Sequence, residues 1–401
     1  MTKNDDKCVP ALRFKGFNND WAQRKLENLT NRVKSYSISH DAEVNQITGT
    51  KYIHYGDIHT GKVTRIQNES ILPNIHDNNF VPLKNGDVIV ADASEDYKGI
   101  ADACVIDLPY QSYKIVSGLH TIAFRPNKEL KPDFLYTYLH TSTFKHYGYR
   151  MGTGLKVFGI SYKNLANMLI KLPDTKEQDK INKVLSLITY RIKLQQRKAK
   201  QLKLLKKAML QMLYTKEYIP SLRFMEFSTK WNLVKLGDVT YRYDNLRQPV
   251  IASQRTHGKI PYYGANGIQD HVDGYTHKGK FLLIAEDGAN DIHNYPVKYV
   301  DGKIWVNNHA HVIQSMPDKV DDIFLLNAIK IINMQPYLVG GSRAKLNADV
   351  MNKIPIKLPT LQEQKDIGSL AYHLDKLIKL CLSKNSQLQS AKQFLLQNMF
   401  I

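Results

Sequence analysis

Only three of the 401 residues are cysteine, and Cys8, Cys104 and Cys381 lie far apart. They match no zinc-ligand spacing and cannot form a dense disulfide framework, so they read as reduced thiols. No run approaches the ~18 apolar residues needed to cross a bilayer, and no membrane partner is expected. The opening MTKNDDKCVP has no apolar core, so no secretory signal is expected and the expected compartment is the cytoplasm. Acids are also scarce. There are 37 Asp and Glu against 56 Lys and Arg, giving a formal charge of +19 and a pI near 9.5. Such an excess favours a polyanion, whose condensed counterions are released on binding, although an acidic protein partner fits the charge too. An apolar content of 43% supports globular folding, and the length exceeds one compact core.

What is present is a repeat. VPALRFKGFNNDW (9–21) returns as IPSLRFMEFSTKW (219–231), and the match continues ungapped over 9–33 and 219–243. The pairs include Pro10/Pro220, Arg13/Arg223, Phe14/Phe224, Phe17/Phe227, Trp21/Trp231 and Lys25/Lys235. A second match, offset by 186, aligns IKLPDTKEQDKI (170–181) with IKLPTLQEQKDI (356–367) and runs to Thr215 and Ile401, with 16 identities over 46 positions. Two ordered matches bracketing each half indicate internal duplication.

The inserts, roughly 34–169 and 244–355, barely resemble each other but share a coarse plan. NGDVIVADASED (85–96) and KGKFLLIAEDG (278–288) each read as a turn glycine, a buried strand and an acidic loop. VKYVDGKIWV (297–306) predicts a hairpin about Asp301-Gly302. Each half then passes through Gly-Ser/Thr-x-x-Lys, GTGLK (152–156) and GSRAK (341–345). Pro173 and Pro359 end an extended segment. Thr175 is then expected to cap a helix, with Gln178 completing a capping box.

From there an apolar residue recurs every seventh position: Ile181, Ile188, Gln195, Leu202, Met209, and Ile367, Leu374, Cys381, Leu388, Leu395. Nine of these ten are apolar, a heptad seam, with Leu185, Ile192, Leu205, Leu370, Leu377 and Leu380 expected to widen it. Antiparallel pairing of two such helices is expected to place two domains at opposite ends. Helices of about 37 residues at ~1.5 Å each would reach about 55 Å. Two different readers on one spacer suit an asymmetric, bipartite duplex site.

The repeated Pro-x-Leu-Arg-Phe-x-x-Phe…Trp…Lys-Leu opening, the glycine loop and Leu-Pro-x-x-x-Glu-Gln before a heptad helix resemble the specificity subunit of type I restriction-modification enzymes. The resemblance covers essentially the whole chain, in both copies. It implies an α+β fold of two pseudo-two-fold-related mixed α/β target-recognition domains, joined by two long antiparallel coiled-coil helices. The expected parts are a flexible tail at 1–8, domains at 9–173 and 217–359, and helices at 174–216 and 360–401. It also implies double-stranded DNA, two methyltransferase subunits and restriction/translocase subunits as partners. Adenine-N6 methylation and restriction would be carried out by those subunits. This chain is then expected to hold no cofactor; S-adenosylmethionine, ATP and Mg belong to the partners.

The residues agree with a non-catalytic role. An amino-methyltransferase needs Asn/Asp-Pro-Pro-aromatic; the nearest string is Asp-Leu-Pro-Tyr at 107–110, with Leu108 for the first proline. A nuclease would need a carboxylate group with a partner lysine, and Asp174 with Glu177 instead suits a helix start. A self-contained methyltransferase or nuclease of a related system is the alternative. His309 and His311 alternate along one strand, too few for a metal site, and His120 is expected to stand at the matching place in the first copy. They are read instead as a polar rim near DNA. Phosphate contacts are expected from Thr153, Lys156, Ser342 and Lys345, with Arg343 a bidentate donor. Base contacts are expected from Tyr97, Lys98, Asn290, His293 and Asn294, loop-borne polar residues after a buried strand. The aromatic openings Phe14, Phe17, Trp21, Phe224, Phe227 and Trp231 are expected as domain anchors or partner-docking residues. Between Glu177 and Glu217 stand 11 Lys/Arg and three acids, a basic face for a partner or for solvent.

Overall fold

The computed structural model describes residues 9–94, 99–154, 157–214, 218–341 and 344–401, so the expected tail at 1–8 lies outside the described residues. The chain forms two compact units, one of residues 1–194 with 385–401 and one of residues 195–384.

Both units are built on one frame. In the first, the strand Ala22–Lys25 pairs antiparallel with Leu169–Leu172, Ala22 opposite Leu172 and Lys25 opposite Leu169. In the second, Asn232–Lys235 pairs with Pro355–Leu358 in the same register. The two matched stretches of sequence are therefore partners, and each ladder closes its insert into a loop with adjacent ends. Trp21 and Trp231 sit beside these ladders, each 2% exposed, with an edge of the ring against Phe134 or Phe324.

A buried ion pair locks the frame to the helix. Arg13 donates from Nε and Nη2 to both carboxylate oxygens of Glu177 at 2.8 Å, and from Nη2 to the carbonyl of Asn19. Arg223 does the same with Glu363 at 2.7 Å and the carbonyl of Thr229. The glutamates are 1% and 0% exposed at the side chain. Gln178 and Gln364 complete the joint. Gln178 Oε1 accepts from the Lys131 N–H, and its amide donates to the carbonyls of Glu129 and Pro173. Gln364 binds Asp321, Lys319 and Pro359 in the same way. The predicted capping box is thus replaced. Asp174 accepts the Glu177 N–H and Thr360 the Glu363 N–H, because the glutamine is spent on backbone groups of its own unit.

The inserts fold as mixed sheets. In the first unit Thr121–Pro126 runs between Thr30–Val33 and Val88–Ala91 in a five-stranded sheet, beside a separate four-stranded one. In the second, a six-stranded sheet places His277–Ala285 between Ala310–Ser315 and Val297–Val306. Residues 297–306 are one continuous strand, not the predicted hairpin. Asp301 lies opposite Lys280 and Gly302 opposite Gly279, both glycines at positive φ. The whole of His277–Ile284 supplies ladder partners, so more backbone hydrogen bonds form than a turn at Asp301 would allow.

Helices Thr175–Leu213 and Leu361–Asn398 have 39 and 38 residues. In the first unit Ile181 and Leu185 share a core with Leu395, Leu396 and Met399. In the second, Met209, Leu210 and Leu213 share one with Ile367 and Leu370, and Lys206 meets Asp375 at 2.6 Å. Each unit therefore holds two helix segments running in opposite chain directions. The buried line steps by four and three, as in Ile367, Ala371, Leu374, Ile378 and Cys381. Leu205, Leu377 and Leu380, expected to widen it, are 49%, 45% and 62% exposed. One partner helix covers only a narrow stripe, and these residues lie beyond it. Among the described residues no helix is long and apolar enough to cross a membrane.

Glu363→Ala strips Arg223 of its carboxylate inside a closed site, and an uncompensated buried charge costs about 3–5 kcal/mol. Urea unfolding should register that loss in the second unit, with Glu177→Ala doing the same in the first. A change below about 1 kcal/mol would mean that other contacts hold the frame.

Candidate nucleic-acid interface

The central strands end at Ala91 and Ala285, and the residues that follow occupy one position in two ladders. The Asp92 N–H donates to the His120 carbonyl at 3.0 Å, and the Glu286 N–H to that of His309 at 2.9 Å. The Asp92 carbonyl accepts from Ile160 and the Glu286 carbonyl from Leu346, at 2.8 and 2.7 Å. His120 is therefore the counterpart of His309. Each imidazole also faces an acid beside that corner, Asp92 in the first unit and Asp287 in the second.

The same register corrects the alignment of the glycine loops. Thr153 bridges Gly159, and Val339 pairs with Lys345. The offset of 186 thus extends back to residue 153, so Lys345 matches Gly159 and Lys156 matches Ser342. Gly154 and Gly340, at φ +133° and +97°, are the true turn pair. A Cβ on Gly154 would lie 1.9 Å from the Val157 carbonyl oxygen, so only glycine fits. The shared Gly-x-x-x-Lys spacing had aligned the lysines three residues out of register.

In the second unit, charges converge on this corner. Arg247 Nη1 donates to Glu286 Oε2 and to the Ala310 carbonyl. Lys345 Nζ lies 2.9 Å from Glu286 Oε1. Burial alone would raise the Glu286 pKa, but the hydrogen bonds from Arg247 and Lys345 outweigh it and hold the group below its ordinary value. His311, 1% exposed, is fixed by Asp244 at 2.7 Å and the Leu346 carbonyl at 2.8 Å. In the first unit, among the described residues, Asp92 meets only His120, at 3.2 Å, and burial leaves its pKa raised.

The nominated residues divide accordingly. Asn290, His293 and Asn294 are exposed. The N–H of Asn290 donates to Asn266, and the N–H groups of His293 and Asn294 donate to Asp291, which orders the loop backbone beneath their side chains. Amide and imidazole groups so presented can donate to and accept from base edges. Lys345, Thr153, His120 and His309 lie at or near the strand ends and are exposed or half-exposed. His311 is a buried framework group, not a rim residue, because Asp244 and Leu346 occupy both its nitrogens. Trp21 and Trp231 are core anchors rather than docking contacts, while Phe14, Phe17, Phe224 and Phe227 stay half-buried. Tyr97, Lys98, Lys156, Ser342 and Arg343 lie outside the described residues.

Sequence reading missed Arg247, Asp244 and Glu286 as a network, since they are 39 residues or more apart except for one pair. It also missed a first-unit group in which His40, His54, Tyr55 and His120 rings follow one another at 4.0, 4.5 and 5.3 Å. Asp107 of Asp-Leu-Pro-Tyr is bound by Arg65 and Gln67 on a turn with Tyr110 90% exposed.

Comparison with known proteins converges on one family. The model of the type I restriction modification DNA specificity domain matches residues 18–204 and again 228–390. A putative type I restriction enzyme specificity subunit of Haemophilus influenzae is 44% identical over 145 residues, 36% of this chain and little over a third (37%) of that relative. A putative MjaX specificity subunit of Methanocaldococcus jannaschii is 26% identical over 301 residues, 70% of each chain. The crystal structure of a type I S subunit from M. genitalium covers 98% of this chain and 99% of its own at a TM-score of 0.66 and 16% identity, a likeness of fold. With the family model matching twice, around the same duplicated frame, the chain belongs to the type I restriction-modification DNA specificity family.

Proposed function

We propose that this chain reads a split, asymmetric duplex DNA site, one half with each insert, and directs adenine-N6 methylation and restriction by partner subunits in the cytoplasm. The observation that carries this reading is one frame used twice around two unlike inserts. The frame repeats in the same register down to its Arg–Glu pair, whereas the residues at the strand ends differ. A common frame with different polar ends supports two different half-sites. The charge of +19 supports a duplex as the polyanion.

Two methyltransferase subunits are the proposed partners, with restriction/translocase subunits joining them. S-adenosylmethionine, ATP and Mg would belong to those subunits. Leu187, Tyr190 and Leu194 on the first long helix, and Tyr372, Leu377 and Leu380 on the second, are 43–62% exposed. Leu187, Tyr190 and Leu194, and Leu377 with Leu380, recur at three- and four-residue steps, and such exposed apolar side chains on a helix flank suit a helical partner. Thr153, Lys345, His120 and His309 are proposed at the DNA backbone, and Asn290, His293 and Asn294 at base edges.

Adenine-methylome sequencing of a host supplied with the cognate methyltransferase, with and without this gene, would display both half-sites at once. Exchanging the 34–169 insert for another should alter one half-site and leave the other; alteration of both would sink modular reading. Seven residues inserted into either long helix should lengthen the unspecified gap or abolish methylation, and an unchanged gap would remove the spacer role.

A further inference from the structure

We infer that Glu286 is a specificity-positioning residue of the second domain. Its carboxylate aims Lys345 at the DNA backbone and cancels the charge of Arg247, so that this corner holds a duplex firmly only when the adjoining loop fits. The inference rests on the DNA-reading function proposed above.

Glu286 stands where four segments meet. Its N–H binds residue 309, its carbonyl binds residue 346, and its side chain binds Arg247 and Lys345. The loop bearing Asn290, His293 and Asn294 begins directly after it. Around it the fixed charges balance: Arg242, Arg247 and Lys345 face Asp244, Glu286 and Asp287. A neutral corner is unexpected in a chain of +19. Three uncancelled cations there would attract any duplex, because phosphate contacts carry no sequence information. An ammonium has three N–H donors. Lys345, 47% exposed at the side chain, can keep Glu286 and still reach a phosphate.

The first unit shows that the fold does not require this lock. Among the described residues, Asp92 makes the same two backbone bonds with only His120 at its carboxylate, and Gly159 stands where Lys345 does. The ladder is common to both domains. Among the described residues the charge lock belongs to one of them, which places its purpose in reading rather than in folding.

The test compares the full-length native chain and Glu286→Gln, each with its methyltransferase subunits. The probes are a duplex carrying the methylome-defined motif and a scrambled duplex of equal length, titrated over a salt series. Glu286→Gln should bind the scrambled duplex more tightly and with a steeper salt slope. It should bind the motif more weakly, and the affinity ratio should fall about tenfold, the scale of one misplaced contact. Methylome sequencing should show degeneracy confined to the half-site of the second domain. An unchanged ratio, an equal loss on both probes, or degeneracy in the other half would overturn the inference. Should Glu286→Gln fail to fold, Lys345→Gln decides. It keeps the Arg247–Glu286 pair and should weaken both probes alike, lowering the salt slope by about one. A changed base preference in that variant would refute backbone positioning. If the native complex itself shows no preference for the motif, the DNA-reading proposal fails first.

Discussion

The buried pairing of Arg13 with Glu177, and of Arg223 with Glu363, is the constraint on which the rest depends. A carboxylate closed from water is costly unless fully bound, and here both oxygens take bidentate donors. Each pair joins the segment that opens a domain to the helix that leaves it. The glutamine one residue later stitches that helix to the domain through backbone groups. Position and direction are thus fixed at one joint by hydrogen bonds whose geometry tolerates little drift, while the apolar surroundings supply the burial energy.

Much of this was legible in the sequence because duplication leaves a signal that propensity does not. The offsets of 210 and 186 turn out to be the two strands of one ladder, and the heptad line marks the buried stripe. The hairpin about Asp301-Gly302 failed because turn chemistry is local, whereas the neighbouring strand offered a longer set of partners. The glycine loops failed differently: a short motif matched better by eye than the true register, which Gly154 and Gly340 mark through their backbone. Leu205, Leu377 and Leu380 were apolar without being buried, since nothing in a single sequence separates a core stripe from a docking stripe. The charge network at Glu286 was invisible for a simpler reason. Its members come from separate strands, and only the fold brings them to one corner.

The two units also illustrate how far one frame can be kept while its electrostatics diverge. Asp92 and Glu286 share their backbone bonds yet titrate in opposite directions from their ordinary values, the first raised by burial, the second lowered by two cations. Divergence thus extends through the inserts, whose sheets differ in strand number, while the joint below stays nearly unchanged.

Met399 and Phe400 lie in the core of the first unit, Phe400 against Phe134. The domain synthesised first therefore cannot finish its interior until the codons for Met399 and Phe400 are translated. At ribosomal speeds of about 5–20 residues per second, the roughly 200 residues between leave it incomplete for about 10–40 s. By then the later domain, apart from its final helix contacts, has already emerged. The order of maturation runs against the order of birth, and an apolar surface stays uncovered in the interval.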